Sequence, residues 1–345
     1  MKLMKTEDAI GQVLCHDITQ IIPGVTKDAV FRKGHIITEE DIPVLLSVGK
    51  EHIYIWEKDE HMLHENEAAE ILRQICQGEH MHPSEVKEGK IELIADCEGV
   101  LKINTEKLNA VNNLGEMMIA SRHGNFPVKT GDKIAGTRII PLVIEEEKMQ
   151  KACEVAGKEP IFRILPYQKK KAGIVTTGSE VYYHRIEDKF TPVVIEKLKE
   201  CGVTEVKQIQ CNDDHEMIME AIQTLIEDGS DLIVCTGGMS VDPDDRTPLA
   251  IKNACTEVVT YGAPVLPGAM FMLAYCEKEG RQIPVMGLPG CVMYAKRTIF
   301  DLVLPRIMCD EKLHEKDFRL LGQGGLCLSC PVCTFPNCGF GKGGY

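Results

Sequence analysis

Three times after Lys171 an apolar run ends in a glycine turn, and helical-period segments fall between these runs. That alternation restricts this part of the chain to a sheet with helices packed on it. AGIVTT, VTEVKQIQ, DLIVC and IPVMGLPG read as buried strands. Thr191 followed by Pro192 predicts an N-cap and a first-turn proline on a helix carrying Val194, Ile195 and Leu198, ended at Cys201-Gly202. Ile218, Ala221, Ile222, Leu225 and Ile226 fall on one face of a second helix. A short helix is expected from Thr247-Pro248, and Ala295, Ile299, Leu302 and Val303 mark one face of a last long one. The expected fold class is α/β, a doubly wound, mostly parallel sheet covered on both faces.

The preceding part has a different grammar. Short strand-like pieces, HIYIW and RIIPLVI, and a glycine-broken VKTGDKIAGTRI predict an α+β region with two amphipathic helices, near Ala68–Cys76 and Leu108–Ile119. The stretch from Glu145 to Lys171 is charged and proline-punctuated, so the boundary is placed near its end. The expected organisation is 1–168 as the α+β region, 169–312 as the α/β domain and 313–345 as a cysteine-rich tail.

With 52 acidic against 39 basic residues, the net charge of -13 disfavours nucleic acid and anionic membrane surfaces, so an anionic ligand must be held locally. Glu7 and Asp8 precede any apolar run, and no ~18-residue apolar stretch follows, which predicts a cytoplasmic protein with no membrane span. Fifteen cysteines, an odd number without a leader, predict reduced thiols.

The glycine turns are TTGSE (Thr176–Glu180), TGGMS (Thr236–Ser240) and GLPG (Gly287–Gly290). In open α/β sheets ligands bind beyond the carboxyl ends of the strands, and glycines let backbone N–H groups approach a phosphate. Asp242, Asp244 and Asp245 follow the second turn, and Asp213 and Asp214 follow VTEVKQIQ. Carboxylates beside a phosphate site repel the ligand unless a divalent cation lies between, with Mg2+ the expected ion. For Asp213 a capping role with Glu216 is the competing reading. No Walker A run or nucleophile elbow is present, and the G-x-G-x-x-G match at Gly339, Gly341 and Gly344 has no helix after it. Cys327, Cys330, Cys333 and Cys338, spaced C-x2-C-x2-C-x4-C, suit tetrahedral zinc or an iron-sulfur cluster. The tail lies beyond the last helix and is expected to contribute little to the core, so that removal from Gly322 onward would leave the α/β domain intact.

These motifs carry a resemblance. From Gly173 to about Arg306 the chain resembles the molybdopterin-binding domain shared by molybdopterin adenylyltransferases, molybdopterin molybdotransferases and the competence-damage-inducible family. GIVTTGSE is similar to that family's strand and TG-[SDT]-E turn, CNDD to its acidic pair, and TGGMSVDPDDRTP to its glycine loop with an Asp before Thr-Pro; LPGAM (Leu266–Met270) and GLPG resemble the two later loops of the molybdotransferase. GQVLCHDI and GHIITEEDIPVLLSVGKEHIYI resemble amino-terminal pieces of the same molybdotransferase. The chain departs from it in lacking S-x-x-D-G-Y-A, in reading CVM where that family has Asn-Pro-Val, and in Lys189 where an Asn is frequent.

The resemblance implies a molybdopterin-binding fold and, as ligand, molybdopterin or its adenylate. Phosphates would sit on Gly178, Gly237 and Gly238, within a ligand set of Thr177, Gly178, Ser179, Gly237, Gly238, Met239, Ser240, Pro267, Gly268, Gly287, Leu288, Pro289 and Gly290. Mg2+ would be bridged by Asp213 and Asp245, with Asp245 and Glu180 as catalytic residues. The implied activity is transfer of molybdenum or of an adenylyl group in molybdenum cofactor biosynthesis. The alternatives are a non-catalytic molybdopterin carrier that hands cofactor to a molybdoenzyme or another cofactor-biosynthesis protein, and a nucleotide pyrophosphatase. A homodimer is expected.

Overall fold

The computed structural model describes residues 2–22, 26–55 and 61–343. Trp56 of HIYIW and Gly344 of the glycine match lie outside the described residues. The chain divides into two compact units, one of Met1–Asp96, Ile103–Arg122 and Gly131–Arg163, the other of Cys97–Lys102, His123–Thr130 and Ile164–Tyr345.

In the second unit the strands are β1 (Lys171–Thr177), β2 (Glu205–Cys211), β3 (Leu232–Thr236), β4 (Glu257–Tyr261), β5 (Met272–Lys278) and β6 (Arg281–Leu288). Their spatial order is β2-β1-β3-β6-β5-β4. Strands β2, β1, β3 and β6 run parallel, and β5 pairs antiparallel with both β6 and β4. The expected α/β class with a mostly parallel sheet is therefore what the chain forms. Strands β4 and β5 have no counterpart in the expected elements.

The side-chain period of two sorts each central strand between two cores. Ile174, Val234, Met286 and Leu288 meet helices α1 (Phe190–Glu200) and α4 (Ile299–Met308). Val175, Ile233, Cys235 and Val285 meet α2 (His215–Glu227) and α3 (Thr247–Ala254). The predicted face of α2 is buried at all five positions. Helix α4 differs from its expected amphipathic form: it starts at Ile299 behind a Thr298/Asp301 capping box, and every residue in it is buried. Asp301 makes that tolerable by accepting from Lys197 Nζ at 2.6 and 2.9 Å, Arg297 at 2.8 Å and its own N-cap amide at 2.7 Å.

Helix α1 also starts differently. Asp188 Oδ1 accepts from the amides of Phe190 and Thr191, both at 3.0 Å, so Asp188 rather than Thr191 caps it. The Thr191 hydroxyl is instead buried against Thr176 Oγ1 at 2.9 Å.

The first unit is α+β. A four-stranded antiparallel sheet runs in the order Met81–Pro83, Lys90–Ala95, Lys133–Ile139, Met117–Ser121. Glu65–Cys76 is helical with Ala68, Ala69, Leu72 and Cys76 buried, close to expectation. The helix expected over Leu108–Ile119 instead spans Thr105–Asn112, and strand backbone takes over at Met117. The charged stretch after Glu145 contains a helix, Glu146–Ala156, which buries Met149, Ala152 and Ala156. Among the described residues no helix is long and apolar enough to cross a membrane.

Candidate ligand-binding site

The carboxyl ends of β1 and β3 lie side by side, with Thr176 opposite Thr236 in the ladder. Their two glycine turns are pinned together by hydroxyls. Thr177 Oγ1 donates to the Thr236 carbonyl at 3.1 Å and lies 3.1 Å from Thr247 Oγ1 at the start of α3. Gly237 has φ +89°, and a Cβ there would run into the Thr177 carbonyl and lie 2.7 Å from its hydroxyl, so only glycine fits. The amides of Gly237 and Gly238 have no hydrogen-bond acceptor among the described residues, and the Thr236 hydroxyl is buried without a partner. A cavity of about 620 Å³ opens here, walled by Thr176, Thr177, Glu180, Lys189, Gly237 and Met293 among others. That volume lies within the range of small-molecule sites.

The acidic residues attach to the rims of these turns. Asp213 Oδ2 accepts from the Ser179 amide at 2.8 Å, tying the end of β2 to the first turn. Asp245 Oδ2 accepts from the Ser240 amide at 2.9 Å within the second. The capping role weighed for Asp213 belongs to Asp214, which accepts from the amides of Glu216 and Met217 at 2.9 and 3.1 Å. Each of Asp213 and Asp245 keeps its other carboxylate oxygen outside these bonds. Asp242 and Asp244 are exposed in the same loop. Among the described residues no group of three or more His, Cys, Asp or Glu is placed to hold a metal ion.

A polar network backs the cavity wall. Gln208 Nε2 donates to Thr176 Oγ1 and to Asp188 Oδ2, both at 2.9 Å. Burial acts to raise the Asp188 pKa, but the hydrogen bonds from Thr191, Phe190 and Gln208 outweigh it and hold the carboxyl below its usual range. Sequence reasoning did not single out Asp188 or Gln208, since neither stands in a glycine motif. On the far rim the Tyr261 hydroxyl donates to the Met239 carbonyl at 3.2 Å; its pKa is raised by burial and then by the nearby Asp245 charge.

The remaining positions of the expected ligand set are distributed differently. Met239, Gly287, Leu288 and Pro289 are buried, so the Met239 and Leu288 side chains belong to the interior. Pro267 and Gly268 sit at the start of α4, where the Ile299 amide donates to the Pro267 carbonyl at 3.2 Å. Pro267 lines a second cavity, of about 610 Å³, together with Tyr294–Arg297 and all four tail cysteines. Gly290 is exposed in a 3-10 turn, Gly290–Met293, that leads from the first cavity to the second.

The tail is bound into this unit, which corrects the expectation that it contributes little to the core. Leu266 and Leu326 form a bridge, with the Leu266 amide donating to Gly325 at 2.8 Å and the Cys327 amide to Leu266 at 2.7 Å. Phe340 is 4% exposed within the α1/α4 core, and Phe335 packs between Phe126 and Phe340. None of the fifteen cysteines is in a disulfide, although the Cys255 and Cys276 sulfurs approach to 2.7 Å.

Comparison with known proteins finds similarity mainly in the second unit. Residues 173–308 match the family model described as "Probable molybdopterin binding domain", and residues 3–57 match a domain of unknown function. A CinA-like protein of Mycobacterium sp. (strain MCS) is 35% identical over 85 residues, 25% of this chain and 20% of the relative, and one from Mycobacterium avium (strain 104) is 34% identical over 95 residues, 28% and 22%. The chain thus spans about a fifth of the length of these curated relatives. Among solved structures, the tungsten cofactor synthesizing protein MoaB from Pyrococcus furiosus aligns at 23% identity over 36% of this chain and 84% of that one, with a TM-score of 0.32. The protein CinA with unknown function from Thermoplasma acidophilum aligns at 15% identity over 41% and 98%, with a TM-score of 0.33. Residues 173–308 of this chain are thus similar to the molybdopterin-binding domain.

Proposed function

We propose that the 620 Å³ cavity at the ends of β1 and β3 takes molybdopterin or its adenylate, and that the protein acts on it in molybdenum cofactor biosynthesis as a molybdenum or adenylyl transferase. The observation that carries this reading is the Gly237-Gly238 turn. Its two amides lack acceptors beside a cavity of ligand size, in a position where sheet topology favours anions. A phosphate would take those amides, and the exposed Lys189 on the rim adds a cation to a chain of net charge -13.

Asp213 and Asp245 would hold Mg2+ with the oxygens not used by Ser179 and Ser240. Two carboxylates suit that ion, because it is commonly bound by one or two carboxylates together with substrate phosphates. When bound it supplies charge stabilisation to the leaving phosphate. Glu180, exposed at the cavity edge, orients the ligand or accepts a proton from water. The reading includes a symmetric homodimer, tested by sedimentation, and a molybdoenzyme or cofactor-biosynthesis protein as recipient.

Mass spectrometry of the anaerobically purified chain, followed by titration with adenylated molybdopterin with and without Mg2+, tests the reading. Pterin binding with Mg2+-dependent release of AMP supports it. Binding without turnover would reassign the protein as a carrier. Hydrolysis of a nucleotide pyrophosphate without pterin binding would overturn the molybdopterin assignment.

A further inference from the structure

The second cavity uses soft donors. Cys327, Cys330, Cys333 and Cys338 all line one space of about 610 Å³ between the tail and Tyr294–Arg297. A zinc ion bound at ~2.3 Å per sulfur requires four thiolates converging on one point. These four are spread around the lining of one cavity. In an iron-sulfur cluster each of the four thiolates binds a different iron, so the sulfurs stand farther apart than around one zinc ion. One lysine and one arginine also border it: Lys296 Nζ donates to the Pro331 carbonyl at 3.0 Å, inside the C-x2-C-x2-C run, and Arg297 lies over the Phe335 ring at 5.3 Å.

We propose that Cys327, Cys330, Cys333 and Cys338 ligate one [4Fe–4S] cluster in the cavity between the tail and Tyr294–Arg297. The fold prepares this position. Cys327 is fixed by the hydrogen bond its amide donates to the Leu266 carbonyl, and Cys338 lies between Phe335 and the buried Phe340 in the chain, while Cys330 and Cys333 are exposed on the intervening loop. Two anchored and two accessible ligands let the loop close over a cluster assembled from outside. The stretch that walls this cavity also supplies Met293 to the glycine-turn cavity, so the cluster would sit one turn of chain from the ligand of the first site.

Anaerobic reconstitution of the full chain with iron and sulfide tests the proposal, with iron, acid-labile sulfide and zinc measured per chain and electron paramagnetic resonance recorded after reduction. Four irons and four sulfides per chain, with a reducible signal, are expected. The Cys330→Ala/Cys333→Ala double variant, altered only at exposed positions, should melt like the apo parent and lose the iron and sulfide. Stoichiometric zinc without sulfide in the parent overturns the proposal. So does full iron retention in the folded double variant, which would place the metal among the other cysteines. The iron readout does not depend on pterin, so this proposal and the pterin reading fail separately.

Discussion

The cavity at Thr177 and the cavity at the tail cysteines both take a wall from Gly290–Arg297, yet they are made by different means. The first is made of backbone amides and hydroxyls at strand ends, each position set by the ladder between β1 and β3. The second is made of side chains on a tail held at Leu266, Phe335 and Phe340, with two of its cysteines on an exposed loop. A site made by a sheet has its shape before a ligand arrives, whereas a site made by a tail acquires part of its shape from what it binds. Backbone changes should therefore abolish the first site, and side-chain changes the second.

The largest effect is expected from Gly237→Val, which adds both a disfavoured positive φ and a collision with Thr177. Pterin binding should fall by ~10³-fold or more, on the scale of losing several charge-assisted contacts, while iron content at the tail stays at the parent level. Loss of both ligands together would erase the distinction between the sites. Next, Phe340→Ala should reduce unfolding free energy by about 3 kcal/mol, as deletion of a buried aromatic does. An unchanged denaturant midpoint would restore the view of the tail as an appendage.

Asp245→Asn follows. An asparagine can still accept from the Ser240 amide, so the loop should keep its form while Mg2+-dependent turnover drops ~10²-fold. Normal turnover with a normal melting curve would remove Asp245 from the chemistry. Asp188→Ala removes a helix cap and should cost about 1 kcal/mol. Because the Asp188 carboxyl is held below its usual range in the fold, its stabilisation is complete above the unfolded value of about 3.9 and is lost as pH falls through the lower folded value. Parent and variant should therefore differ most near neutral pH and converge in acid. The smallest effect belongs to Gly290→Ala, where nothing lies within 4 Å of an added Cβ. A change in pterin affinity above about twofold, ~0.4 kcal/mol, would mean that the ligand approaches that turn.

The parts of this molecule that could be read from residues are those in which one physical signal acts alone. Helix α2 shows its buried face because its outer side is polar, and β1, β3 and β6 show themselves as unbroken apolar runs because both faces are covered. Helix α4 misled because burial on all sides, with Asp301 and Arg306 inside, has no period to read. Strands β4 and β5 were missed because their apolar residues run into the glycines and prolines of YGAPVLPGAM. At the site, the glycine turns were legible from composition, but the partners of the carboxylates were not. Whether Asp213 or Asp214 caps α2 depends on where β2 ends relative to the Ser179 amide, a long-range relation no local spacing encodes. The tail's place in the core was hidden likewise, since Phe340 reads as one aromatic among glycines until Phe126 and the α4 residues close around it.

The order of strands across the sheet has a kinetic side. Strand β3 meets β1 early in the chain, but the far side of β3 waits for β6, which follows β4 and β5 in sequence. The cavity wall at Met293 and the tail bridge at Leu326 come later still. Contacts so distant in sequence form slowly, because a long loop must close before any of them is gained. A ribosome-bound chain that has emerged only as far as the Gly237 turn therefore has that turn without the wall that Met293 supplies, and the cavity is completed late in synthesis.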